Sequence, residues 1–144
     1  MEQVEQSIRV TVGEEPIDGG LLISEVGRPD SGATVLFLGT VRDHSEGKED
    51  VTHLEYEVYI EQVEPKIREI VDEAGEKWPL QSVVVEHRSG RVDVGQASVA
   101  VAVACAHRGD AFAAAQFIID ELKGRAPIWK KEFWPGGAEW SRGS

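Results

Sequence analysis

The 144-residue sequence has a single cysteine, Cys105, and a single methionine, only 7% aromatic residues, and 15 cationic side chains against 26 acidic ones. One cysteine excludes an internal disulfide framework and fits a reducing cytoplasm. No run of eighteen apolar residues occurs, which excludes a helical membrane span of ordinary length. Met1–Gln6 (MEQVEQ) has neither the basic nor the apolar region of a secretory leader, so none is expected. A net charge of −11 argues against general binding to nucleic acid or anionic membrane. Dinucleotide, P-loop and nucleophile-elbow signatures are missing. The four histidines, His44, His53, His87 and His107, do not fall at metal-ligand spacing. Length and the lack of linkers or repeats predict one domain over 1–144.

The scarce cations are unevenly placed. Residues 1–80 hold 19 acidic and 7 basic side chains, and residues 81–144 hold 7 and 8. Between 123 and 131 stand Lys123, Arg125, Lys130 and Lys131 with no acidic residue. Such a stretch is either a solvated face or a place kept for an anionic ligand.

Periodicity predicts an α+β protein, with helices packed on a mainly antiparallel sheet. Ser7–Val12 alternates as a half-buried strand. Pro16–Val26 reads as a short helix capped by Asp18 and closed by Gly27 and Pro29. Ala33–Val41 is a nearly continuous apolar run, the pattern of a central strand. His44–Asp50 reads as a mobile loop. Val51–Tyr59 places Leu54, Tyr56 and Val58 on one face. A helix follows with a stripe of Ile60, Val63, Ile67, Ile70, Val71 and Ala74, ended by Gly75 and Pro79. Pro65 inside it leaves its start ambiguous. Val83–His87 and Ala97–His107 are further strands, joined through Gly90–Gly95. Asp110 is expected to cap a second helix with Phe112, Ala115, Ile118, Ile119 and Leu122 buried, ended by Gly124. Ile128–Trp134 is the last predicted strand.

Cys105 lies in an apolar strand and reads as a small core hydrophobe. Three cationic groups invite chemistry. Thr40-Val41-Arg42 stands where an apolar strand runs into a polar loop, where Arg42 could equally pair with a surface carboxylate. His107-Arg108 precedes a helix N-terminus, a position that favours anions, and Arg108 suits bidentate binding of phosphate or carboxylate. Lys123 closes a helix, where the dipole alone favours a cation. Lys130 and Lys131 are strand neighbours and point to opposite faces, so only one can share a site with Lys123. The stiff apolar Pro127-Ile128-Trp129 segment would partly desolvate a nearby lysine and lower its pKa.

FLGTVRDHSEG at 37–47, the stretch from VVVEHRSG to APIWKKE at 83–132 and WPGGAEW at 134–140 together resemble the large, catalytic subunit family of molybdopterin synthase. The similarity runs through essentially the whole chain. It implies an α/β hammerhead-type fold with additional antiparallel strands. It implies sulfur transfer into cyclic pyranopterin monophosphate to form molybdopterin, within molybdenum cofactor biosynthesis. The donor is the C-terminal Gly-Gly thiocarboxylate of a small ubiquitin-like subunit, and the assembly is a homodimer within a heterotetramer. The matching pocket residues are Thr40, Val41, Arg42, His107, Arg108, Lys123, Lys130, Lys131 and Glu132. Lys123 is the expected main catalytic lysine, with Lys130 assisting. No cofactor or metal is implied, and the location is the cytoplasm. Gly136-Gly137 is followed by seven residues, so it is not expected to be a carrier tail. The alternatives are a phosphate-ester hydrolase or lyase, and a non-catalytic module for an anionic tail or nucleotide-like ligand.

Overall fold

The structure, a computed structural model, describes residues 5–143. Eleven elements follow one another: β1 (Ser7–Gly13), α1 (Gly19–Val26), β2 (Ala33–Thr40), β3 (His53–Val58), α2 (Ile60–Lys77), β4 (Leu80–Arg88), β5 (Gly90–Asp93), β6 (Ala97–Cys105), α3 (Arg108–Arg125), β7 (Ile128–Trp134) and β8 (Gly137–Arg142). They form two four-stranded sheets, ordered β1-β4-β6-β2 and β5-β3-β7-β8. Every pairing is antiparallel except β1 with β4. The architecture is α+β, as the periodicity predicts.

The first sheet is covered on both faces, and β6 shows how. Val99, Val101, Val103 and Cys105 join the main core with α2 and α3. Ala100, Ala102 and Ala104 face the other way, where α1 packs Leu22 and Val26 against Val84 and Leu36. Alternating valine and alanine lets a thick helical layer sit on one face and a short helix lie close on the other. Cys105 is fully buried in this core.

The same two-sided cover corrects the placement of Ala33–Val41. It is an edge strand, paired only with β6 in its sheet. Its apolar run arises because α1 and α3 both pack against it, and Leu38 remains 38% exposed.

The helix boundaries also shift. In α2, Val63, Ile67, Ile70, Val71 and Ala74 are buried as the stripe predicts, but Ile60 is at the first turn and exposed. Pro65 lies inside the helix, where it removes one backbone donor. The helix passes through Gly75 and stops at Trp78, held extended by the following Pro79. In α3 the N-cap residue is His107, not Asp110, which sits in the first turn where a carboxylate suits the dipole. Phe112 is exposed, because Ala111 and Ala114 take the inward positions. The helix passes Gly124 and ends at Arg125, before an extended Ala126 that precedes Pro127. β6 likewise stops at Cys105, two residues short of the predicted end. Two strands escaped the sequence pattern: β5, within the Gly90–Gly95 connection, and β8, beyond the last predicted strand.

Candidate active site

The second sheet turns one face of β3 and β7 toward the first sheet. Leu54 pairs with Glu132 and Tyr56 with Lys130 across this ladder. Residues directly opposite share a face, so all four side chains point the same way. Against them come the end of β2 and the C-terminal turn of α3. Between these parts lies a cavity of about 330 Å³, walled by Thr40, Val41, Arg42, Tyr56, Lys123, Lys130 and Glu132 among others.

Several local features aim these groups. A register shift between Gly39 and Thr40 interrupts the β2–β6 ladder, and such a bulge redirects the chain. Gly39 is required there, since a Cβ would stand 2.6 Å from Val99 Cγ1. Val41 is buried and pinned through its backbone: its N–H donates to Gln96 O at 3.0 Å, and Gly95 N–H donates to Val41 O at 2.9 Å. Arg42 therefore leaves a fixed anchor. Lys123 occupies the last turn of α3.

The loop after Arg42, read from sequence as mobile, is tethered beside the pocket. Ser45 and Lys48 exchange backbone hydrogen bonds at 3.0 and 2.9 Å. The Ser45 hydroxyl donates to Glu132 Oε2 at 2.6 Å. Lys48 Nζ lies 3.6 Å from Glu132 and 3.1 Å from Glu139. Glu132 is thus a buried carboxylate fixed by two loop residues.

The pocket is cationic. Arg42, Lys123 and Lys130 make no ion pair within 4 Å among the described residues, which removes the surface-carboxylate reading of Arg42. Burial lowers the Lys130 pKa; Glu132 opposes this, while the charges of Lys123, Arg42 and Lys48 add to it. Beneath the pocket Tyr56 packs edge-on against His87, with ring centroids 5.1 Å apart. His87 is almost wholly buried, and burial chiefly, with help from the Lys123 charge, lowers its pKa to about 4.

Three of the nine sequence-derived site residues lie elsewhere in the chain. Lys131 faces the opposite side of the sheet, with Nζ 5.2 Å from the Phe133 ring centre and 5.6 Å from that of Trp140. His107 and Arg108 line a separate open concavity with Gly32, Ala106 and Gly109. His107 caps α3 and Arg108 opens it, while Lys123 lies in its last turn, a separation of roughly 22 Å from Arg108 at the helical rise. Conversely, sequence reasoning did not single out Ser45, Lys48, Tyr56 or Ser98. Only Tyr56 left a signal, through its shared face with Leu54.

The family model for "MoaE protein" matches residues 12–125. The chain belongs to the MoaE family. Relatives bear this out over most of their length. A molybdopterin synthase catalytic subunit from Staphylococcus carnosus is 46% identical over 112 residues, covering 78% of this chain and 74% of its own. One from Thermoplasma volcanium is 44% identical over 128 residues, covering 89% and 93%. The crystal structure of molybdopterin synthase from Staphylococcus aureus superposes with a TM-score of 0.84 at 37% identity, covering 90% of this chain and 94% of that one. At 20% identity, a complex of subunits 1 and 2 of molybdopterin-converting factor from Helicobacter pylori shares the fold, with a TM-score of 0.73. This MoaE-family chain is therefore an enzyme of the molybdopterin synthase catalytic subunit class, acting in molybdenum cofactor biosynthesis. None of its helices, among the described residues, is long and apolar enough to cross a membrane.

Proposed function

We propose that this chain, as one catalytic domain, transfers sulfur to cyclic pyranopterin monophosphate in the pocket of Arg42, Lys123 and Lys130. The sulfur comes from the C-terminal thiocarboxylate of a small ubiquitin-like subunit, and the setting is the cytoplasm. The observation that carries this reading is the convergence of three unpaired cations and one fixed carboxylate in a single pocket. A cyclic phosphate and a carboxyl-terminal tail are both anionic, and such a cluster holds both.

The roles follow from the geometry. Arg42, held by Val41 beside Thr40, grips phosphate in fork fashion. Lys123 stands at the rim, where an incoming tail meets the pterin, and stabilises the charge that develops as sulfur attacks carbon. Lys130 is the partly desolvated amine, suited to moving protons as carbon–oxygen bonds break. Glu132 keeps Lys130 in place electrostatically and fastens the loop through Ser45 and Lys48.

His107 and Arg108 are too far from Lys123 to serve the same pocket within one chain. In a homodimer their turn can meet the pocket of the second copy, and we assign them that role. Lys131, on the outer face, is not part of the pocket of its own chain.

The test is conversion of the precursor by the purified chain, with and without the thiocarboxylated small subunit. Molybdopterin formed only with the partner supports the reading. Turnover of a phosphate ester by the chain alone, or no conversion with the partner present, refutes it.

A further inference from the structure

One buried cation lies outside the pocket and has no part in the proposed chemistry. Arg88 ends β4, where the chain leaves the first sheet for β5 in the second. It is 8% exposed, and among the described residues it makes no ion pair within 4 Å. Neutral oxygens stand in for a carboxylate. Arg88 Nη1 donates to Gln96 Oε1 at 3.2 Å, and Nη2 donates to Glu14 O and to Arg91 O, each at 3.1 Å. Nε is buried without a partner. A guanidinium held this way is costly to bury, and three bonds to neutral groups offset the cost only in part. What its rigid fork secures is geometry. The three acceptors belong to three separate stretches: the residue after β1, β5 itself, and the turn between β5 and β6.

That turn reaches the pocket. Gln96 Oε1 also accepts from the Asp93 N–H at 3.0 Å, and the Gln96 N–H donates to Asp93 O at 3.0 Å, so the side chain closes the turn on itself. The closed turn holds Val41 twice, through Gln96 O and the Gly95 N–H. Val41 carries Arg42. A continuous series of hydrogen bonds therefore runs from Arg88, through Gln96, to the residue that precedes the pocket guanidinium.

We infer that Arg88 is a positioning residue for Arg42, fixing its place through the Gln96 turn and Val41. The effect expected on substrate binding rests on the proposed role of Arg42 as the phosphate grip.

Two measurements on the full-length chain test it. Arg88→Met keeps an apolar side chain of similar length, and Gln96→Ala cuts an exposed side chain without opening the core. The first measurement is hydrogen exchange at the Val41 amide. Both variants should speed it about fivefold or more, the scale of one lost hydrogen bond. The Val101 amide, in β6 between β2 and β4, should keep its parent rate. Gln96→Glu preserves an acceptor for Arg88 and should exchange as the parent does. An unchanged Val41 amide in Gln96→Ala, or a Val101 amide that speeds up alike, overturns the inference. The second measurement is affinity for cyclic pyranopterin monophosphate, beside Arg42→Ala. Gln96→Ala should weaken it about fivefold, and should add no further loss to Arg42→Ala. Where Arg42→Ala weakens binding, parent affinity in Gln96→Ala, or an equal loss in both backgrounds, overturns the inference. If Arg42→Ala binds as the parent does, the phosphate role of Arg42 falls and Val41 exchange alone decides the inference.

Discussion

Lys130 and Lys131 are consecutive residues that face opposite sides of the same sheet, one into the cationic pocket and one between Phe133 and Trp140. The strand's two-residue period imposes this split. Lys130→Ala should lower the rate of molybdopterin formation by about 10²-fold or more, as expected when a proton-transfer group is lost. Lys131→Ala should change it little beyond a few-fold. Steady-state assays of the two variants beside the parent enzyme check this, and equal losses would remove Lys130 from its special role.

The lowered pKa of Lys130 makes its neutral form available at lower pH than for an ordinary lysine. If the neutral amine accepts a proton, the acid limb of the rate profile should lie below the usual lysine range. Glu132 opposes the shift, so Glu132→Gln should move that limb further toward acid. A limb that moves toward alkaline pH would reverse the assigned electrostatics.

His87 links the floor of the pocket to stability. It titrates near 4 when folded and near 6.5 when unfolded. Between those values the unfolded chain binds a proton that the folded chain refuses. Stability should therefore fall as pH drops from about 6.5 to about 4, by on the order of 3 kcal/mol from this group. Urea melts across this window check the slope. His87→Leu should flatten it, whatever its effect on stability at neutral pH.

The distance along α3 predicts complementation between copies. A chain with Lys123→Ala and a chain with Arg108→Ala should each be inactive alone. Unfolded together and refolded as a mixture, they should recover about a quarter of parent activity, because half of the dimers then hold one intact pocket. No recovery would mean that Arg108 does not serve the pocket of a second copy.

Much of this was readable from residue order. Alternation located β1, β3 and β7, an apolar run located β6, and the stripe of Val63, Ile67, Ile70, Val71 and Ala74 located α2. β3 and α2 each bury one periodic face, whereas β6 is buried on both. β5 and β8 stayed hidden because their burial patterns barely alternate: β8 is almost wholly exposed, and β5 buries only Val92. Ala33–Val41 misled for the opposite reason, since helices on both faces make an edge strand look central. For the site, motif resemblance gave Arg42, Lys123, Lys130 and Glu132. It gave no hint of the roughly 22 Å between Lys123 and the His107–Arg108 turn, which follows from the length of α3. Ser45, Lys48 and Ser98 were invisible, because ordinary polar residues acquire a role only through tertiary contacts such as the Ser45 hydrogen bond to Glu132.

The most direct measurement is sulfur transfer by Lys123→Ala, assayed with excess thiocarboxylated small subunit and cyclic pyranopterin monophosphate. Folding and partner binding are verified on the same preparation. The predicted result is loss of molybdopterin formation by a fold-intact protein that still binds its partner. Molybdopterin made at the parent rate would contradict the account.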